Sequence, residues 1–344
     1  MQIPNPSLQS WKARGLNART VSKRVNGHIT SWGYGAGWTL SRRLPEPVVS
    51  AAFDQIGVVA KRRGGRGVEQ LRRNLSRARP ELDEEALDDL VSDAMKSYLR
   101  YWREAFRLPE WSRAEIERRI RAANERRLFD PLDAGRGVVA VLGHFGNWDH
   151  GGAWVTGRGY GLTTVAERLK PESLFDQFLE YRESLGMQVF PLSGGPEVTE
   201  KLQRRLREGG LVALLADRDL TTSGIDVDLL GEPARMPIGP ALLALRTDAV
   251  LLPVISWYED GYTHLDFKSP LVAAEGTLRQ RLRDLTQQWA MVVGEAAQEH
   301  ARDWHMLQPI WTADAQPGAQ PDAQPDAQPD AQPDAQPDAE DGRR

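Results

Sequence analysis

The chain has 344 residues, 27% of them charged, a formal net charge of −4 and no cysteine. Without cysteine there are no disulfides, no thiolate metal sites and no cysteine nucleophile. No uncharged apolar run reaches the about 18 residues of a membrane span, and Met1 to Lys12 is too polar for a cleavable signal.

The net charge conceals an asymmetry. Residues 1–79 hold Lys12, Arg14, Arg19, Lys23, Arg24, Arg42, Arg43, Lys61 and seven further arginines, against only Glu46, Asp54 and Glu69. A basic segment of this kind suits a polyanionic surface, either anionic lipid headgroups or nucleic acid. From His28 to Ala60 it also carries Trp32, Tyr34, Trp38, Leu40, Val48, Val49, Phe53 and Ile56. Rings with flanking arginines fit an interfacial helix, and an amphipathic helix packed on the protein's own core is the alternative. From Val68 to Arg127, Leu71, Leu75, Leu87, Leu90, Val91, Met95, Tyr98, Leu99 and Trp102 recur at helical spacing, with Pro80, Pro109 and Pro131 dividing the stretch.

Beyond Asp133 the texture changes to short apolar runs alternating with helices. Val138–Leu142, Leu162–Ala166, Val189–Leu192, Leu211–Ala216, Ile225–Leu229, Val250–Trp257 and His264–Phe267 read as strands. Glu172–Leu185, Pro196–Arg207, Gly239–Thr247 and Thr277–Arg302 read as helices. This predicts an α/β fold with a central mixed sheet flanked by helices. Residues 1–130 are expected to form its basic, helical, membrane-facing portion, 131–311 the α/β catalytic core, and 312–344 a tail. The tail repeats Ala-Gln-Pro-Asp with a proline every fourth residue and no apolar anchor, so it is expected to stay extended, with no catalytic part.

Chemistry concentrates where apolar runs end. The run Val138–Leu142 leads into Gly143-His144-Phe145-Gly146-Asn147-Trp148-Asp149. A strand-to-helix turn can bring the Asp149 carboxylate to one ring nitrogen of His144, leaving the other to take a proton from a substrate hydroxyl. A capping aspartate beside a satisfied histidine is the bland alternative. Further clusters follow at Glu167-Arg168, Arg182, Asp217-Arg218-Asp219 and Arg235; the edge beyond strand C-termini is where α/β sheets put ligands. A metal on His144, Asp149 and His150 lacks a further nearby ligand. Ser193-Gly194-Gly195 is no nucleophile elbow. Gly33-Tyr34-Gly35 and Gly157-Arg158-Gly159 do not sit between strand and helix as nucleotide loops must.

Four blocks, Gly143–Asp149, Ala216–Leu220, Leu230–Pro240 and Trp304–Trp311, together resemble the bacterial lipid A lauroyl/myristoyl acyltransferase family, most closely its phosphatidylinositol mannoside acyltransferase branch. The likeness covers roughly residues 20–311. It implies a fold like that of the glycerophospholipid acyltransferases and transfer of a long acyl chain, typically palmitoyl, to the 6-hydroxyl of a mannose in a phosphatidylinositol mannoside. Acyl-CoA is then the co-substrate, with no resident cofactor or metal. His144 is the implied base, oriented by Asp149 or by another carboxylate among Glu167, Asp217 and Asp219. Arg182, Arg168, Arg218, Arg235 and Asn147 are the expected substrate-binding residues, with structural salt bridges as the alternative for Arg218 and Arg235. Lipid A members usually begin with a transmembrane helix and this chain does not, which favours the peripheral branch on the cytoplasmic face of the cell membrane. The polyanion expected at the N-terminal portion is therefore the anionic inner-membrane surface and not nucleic acid. The rival readings are acylation of another glycolipid and a non-catalytic basic module binding membrane or nucleic acid.

Overall fold

The computed structural model describes residues 44–166, 172–191, 195–219 and 224–314. Trp32, Trp38, Arg42 and Arg43, Glu167 and Arg168, and the repeat tail lie outside these residues. Among the described residues three helices come first: α1 (Glu46–Arg63), α2 (Arg66–Ala78) and α3 (Glu84–Arg107). The last is the longest, and its ends follow the helix rules. Asp83 accepts a hydrogen bond from the Ala86 N–H, Glu84 and Glu85 occupy the first turn, and Arg107 sits in the last. Helix α1 packs on α3 through Val49, Ala60 and Phe53, whose ring meets Phe106 edge-on at 6.2 Å. Part of the N-terminal segment therefore belongs to the core, as its amphipathic reading allowed. Its other side exposes Val48, Ile56 and Val59.

After α4 (Arg113–Arg118) the chain alternates: β1 (Ile120–Ala123), α5 (Arg126–Asp133), β2 (Val138–Leu142), α6 (Trp148–Gly157), β3 (Leu162–Ala166), α7 (Glu172–Ser184), β4 (Met187–Pro191), α8 (Gly195–Arg207) and β5 (Leu211–Leu215). A hairpin of β6 (Ile225–Leu229) and β7 (Glu232–Met236), then α9 (Gly239–Thr247), β8 (Val250–Glu259), β9 (Tyr262–Phe267) and α10 (Leu278–Glu299), complete it. Seven strands form one mixed sheet in the order β1-β9-β8-β2-β5-β3-β4, with β8 and β9 antiparallel and the other pairs parallel. The runs VVAVL and LVALL are almost wholly apolar because β2 and β5 are central strands covered on both faces.

Three strands depart from the sequence reading. Ile120–Ala123, inside the stretch read as helical, is an edge strand pairing in parallel with β9, from Ile120 opposite Thr263 to Ala123 opposite Asp266. Its Arg- and Ala-rich sequence favours helix, and pairing with a ready edge overrides that preference. The β6 run forms its own two-stranded ladder with the unforeseen β7 and does not join the main sheet.

Register decides what stands beside what. Leu142 at the end of β2 pairs with Leu215 at the end of β5, and the Ala216 N–H extends the ladder to the Leu142 carbonyl at 2.8 Å. Two residues beyond that pair come His144 on one strand and Asp217 on the other.

Candidate active site

The His144 ring nitrogen Nδ1 lies 2.6 Å from Asp217 Oδ1, and the His144 backbone N–H donates to Asp217 Oδ2 at 2.7 Å. Asp217 is wholly buried, whereas the His144 side chain keeps 11% of its surface, so one edge of the ring stays within reach of a substrate. Burial alone pushes the Asp217 carboxyl up. The charge of His144, its two hydrogen bonds and the Trp304 indole outweigh that and hold the carboxyl below its ordinary value.

Asp149, the carboxylate nearest in sequence, does not reach the imidazole. It lies in the first turn of α6, accepts Tyr101 O–H at 2.8 Å and Arg182 Nε–H at 2.9 Å, and is buried like Tyr101, while Arg182 is partly buried. The helix starting at Trp148 turns the Asp149 side chain away from the strand end from which His144 projects. Arg182 is likewise spoken for. Burial works against its charge, yet Asp149 raises its pKa, so its guanidinium is matched inside the protein instead of waiting for an anionic substrate.

Asn147, expected to bind substrate, is wholly buried and caps α6: its Oδ1 accepts the His150 N–H at 2.9 Å, and its Nδ2 donates to Glu104 at 2.9 Å. Its own N–H donates to Ser256 Oγ at 3.1 Å. The turn before it needs a glycine: Gly146 has φ +53°, and a Cβ there would stand 2.6 Å from Ser256 Oγ. His150 faces the core, with Nδ1 3.0 Å from Thr263 Oγ1 and Nε2 3.2 Å from the Ile116 carbonyl. Burial lowers its pKa to about 4, and it does not converge with His144 and Asp149.

Asp219 and Arg235 serve another corner. Asp219 accepts the Gly224 N–H at 2.9 Å, while Arg235 approaches Asp219 at 3.9 Å and donates to the Gly224 carbonyl. They brace the base of the β6–β7 hairpin. Arg218, next to Asp217, is half-buried.

Sequence reasoning missed the support shell. Ser97, Tyr101 and Glu104 lie at helical spacing on α3 and reach Asp303, Asp149 and Asn147 respectively. The signal was there: three polar groups, at intervals of four and three residues, within an otherwise apolar stripe.

A narrow apolar cavity of about 80 Å³ lies between α6 and the sheet. Ala140, Leu142, Ala213, Leu215 and Val254 supply the sheet side, with Trp148, Gly152 and Val155 opposite and Asp149 and Arg182 among its few polar neighbours. Leu142 and Trp148 bracket His144 in sequence, and the Trp148 ring stands edge-on to the imidazole at 5.5 Å. The histidine–carboxylate pair thus stands next to an apolar cavity, with Leu142 and Trp148 shared between the two neighbourhoods.

The family described as bacterial lipid A biosynthesis acyltransferase matches residues 18–313. The phosphatidylinositol mannoside acyltransferase of Mycolicibacterium smegmatis is 45% identical over 305 residues, spanning 86% of this chain and 96% of that protein. The protein of the same name from Mycobacterium tuberculosis is 45% identical over 294 residues, spanning 83% and 89%.

Proposed function

The chain belongs to the bacterial lipid A biosynthesis acyltransferase family, and from that premise we propose that it is a phosphatidylinositol mannoside acyltransferase. It transfers a long acyl chain, palmitoyl by preference, from acyl-CoA to the 6-hydroxyl of a mannose. The observation that carries this reading is the His144–Asp217 pair at 2.6 Å beside the apolar cavity, taken with relatives that bear this name.

In this reaction His144 donates its Nδ1–H to Asp217 and presents Nε2 as the base. It takes the hydroxyl proton as the mannose oxygen attacks the thioester carbonyl. A C–O bond forms, the tetrahedral oxyanion collapses, the C–S bond breaks, and the leaving thiolate takes the proton from the imidazolium. No covalent enzyme intermediate is needed. Asp217 stabilises the imidazolium while it exists, the part a buried carboxylate plays beside a general-base histidine.

The N–H groups of His144, Gly146, Asn147 and His150 are already engaged. The oxyanion is therefore assigned to the N–H groups of Trp148 and Asp149 in the first turn of α6, where the helix dipole favours negative charge. The cavity takes part of the acyl chain, and Arg218 is the candidate for the phosphates of CoA or of the acceptor.

No described helix is long and apolar enough to cross a membrane. On this reading the enzyme works as a peripheral protein on the anionic cytoplasmic leaflet, with the exposed Val48, Ile56 and Val59 face of α1 turned to the lipid. The test is product analysis. Purified protein given palmitoyl-CoA and mannosylated phosphatidylinositol should yield a monoacylated product whose fragmentation places the new ester on mannose carbon 6. Acylation of a lysophospholipid or a glucosamine lipid in its place would overturn the substrate assignment.

A further inference from the structure

The segment that follows α10 meets the His144 turn as a strap. Asp303, Trp304 and His305 run antiparallel to it, with a bridge between Phe145 and Trp304. The Gly146 N–H donates to the Asp303 carbonyl at 2.9 Å, and the His305 N–H donates to the His144 carbonyl at 2.7 Å. The backbone on both sides of Phe145 is thereby fixed. Trp304 is wholly buried, its ring stacks on Phe145 with 12° between the planes, and its indole Nε1 lies 3.3 Å from Asp217 Oδ2. The strap itself is anchored: Asp303 accepts Ser97 O–H at 2.5 Å and the Tyr258 N–H at 3.0 Å. Ser97 Oγ also lies 2.9 Å from His305 Nε2. A second indole, that of Trp289 on α10, donates to the carbonyl of Ala216, the residue before Asp217, at 2.9 Å.

We propose that Trp304 is a positioning residue for the acyl transfer, holding the Asp217 carboxylate through its indole N–H while the strap around it holds the His144 backbone. This rests on the reading of His144 as general base. Of the donors to Asp217 among the described residues, two come from His144 itself and the third from Trp304. Without the third, Oδ2 is anchored only by the His144 backbone, and the carboxylate gains freedom to turn away from Nδ1. A hydrogen bond to a carboxylate also stabilises its anionic form. Its removal therefore raises the proton affinity of the coupled pair and moves the pH at which the base becomes protonated upward.

Other ionisable groups surround the pair. His305 and Asp303 belong to the strap, Arg218 and Asp219 follow Asp217, Asp149 lies on α6 with its partner Arg182 on α7, and Glu104 on α3 lies behind Asn147. Burial, aided by the nearby His144, lowers the pKa of His305 to about 3, so it stays neutral through the assay range. Burial opposes the charge of Glu104, yet Arg100 leads the contacts that hold its carboxyl below the ordinary value. The substitution below leaves all of these groups in place.

The test compares wild type with Trp304→Phe, and with a protein carrying 3-benzothienylalanine at position 304, an isostere of tryptophan that lacks only the N–H. The acid limb of the kcat/KM–pH profile is read with palmitoyl-CoA and mannosylated phosphatidylinositol. Both proteins should show the limb displaced to higher pH by several tenths of a unit, with kcat reduced about three- to tenfold and KM for both substrates little changed. The isostere keeps the stacking on Phe145, so it carries the test if Trp304→Phe folds poorly. An acid limb that stays in place in the isosteric protein overturns the proposal, whatever happens to the melting temperature. Activity surviving in His144→Ala would instead overturn the general-base reading beneath it, so the two failures are distinguishable.

Discussion

Arg182 on α7 donates to Asp149 on α6 at 2.9 Å beside Tyr101 and the apolar cavity, with the carboxylate buried and the guanidinium 14% exposed. Asp149 is the residue that local spacing offers as the partner of His144, and this ion pair gives it a different task. Removing one member of a buried pair leaves an uncompensated charge, at a cost of about 3–5 kcal/mol. Asp149→Ala should therefore lower the chemical-denaturation midpoint strongly, and exchange of both members for apolar residues should cost much less. Equilibrium unfolding of Asp149→Ala, Arg182→Met and the double variant measures this. Additive single-variant losses would show that the two charges do not depend on each other.

A second prediction concerns acid. Burial holds His150 at about 4 and His305 at about 3, both below the ordinary 6.5. Both stay neutral in the folded protein while the unfolded chain takes up protons below pH 6.5. Their contribution to stability is complete above 6.5 and is lost as pH falls towards the folded values, each by up to about 1.4 kcal/mol per pH unit. Asp217 and Glu104, with depressed values, lose theirs in the same direction further down. Unfolding free energy should thus fall between pH 7 and pH 5, and more gently in His150→Gln. A flat profile over that range would contradict the neutral, buried state of these rings.

If the apolar cavity receives the acyl chain, chain length is the test. Ala213 lies on its floor, on β5. Ala213→Leu would fill part of a cavity of about 80 Å³ and should reduce kcat/KM for palmitoyl-CoA by about tenfold or more relative to a shorter donor such as octanoyl-CoA. Each methylene excluded from an apolar site is worth about 0.8 kcal/mol. A uniform loss across donor lengths would place the chain elsewhere.

Membrane attachment is tested on α1. Replacing Val48, Ile56 and Val59, all exposed, with serine should weaken co-sedimentation with anionic vesicles at high salt by about tenfold, with the melting temperature unchanged. Retention equal to that of wild type would leave docking to another face.

Deleting residues 315–344 should change neither the melting temperature nor turnover. The truncation keeps Asp314, which is held by Arg77 at 2.7 Å and by Gln70 at 2.8 Å. A drop of several degrees would mean that the repeat packs on the domain.

The α/β architecture was legible because β2 and β5 are unbroken apolar runs and the helices between them are bounded by Gly and Pro. His144 was legible for the same reason, as an imidazole at the end of such a run. Its carboxylate partner was not singled out, because the pairing depends on register. Asp217 is 73 residues away, and it meets His144 only because Leu142 pairs with Leu215 in a parallel ladder. Spacing favoured Asp149, yet a helix start at Trp148 carries that side chain off towards Arg182. The role of Trp304 was hidden for a similar reason: nothing local to a C-terminal tryptophan says which loop it will stack on. Ile120–Ala123 was misread because an edge strand draws its stability from its partner and not from its own residues.

On the proposed mechanism His144 and Asp217 act as one unit. Single-turnover transfer from palmitoyl-CoA to mannosylated phosphatidylinositol should be measured for wild type, His144→Ala, Asp217→Asn, and the double variant His144→Ala/Asp217→Asn. Each single variant should lose on the order of 10²–10⁴ in rate while remaining folded, and the double should be little worse than His144→Ala alone. Wild-type rates in a folded Asp217→Asn protein, or losses that multiply in the double variant, would contradict it.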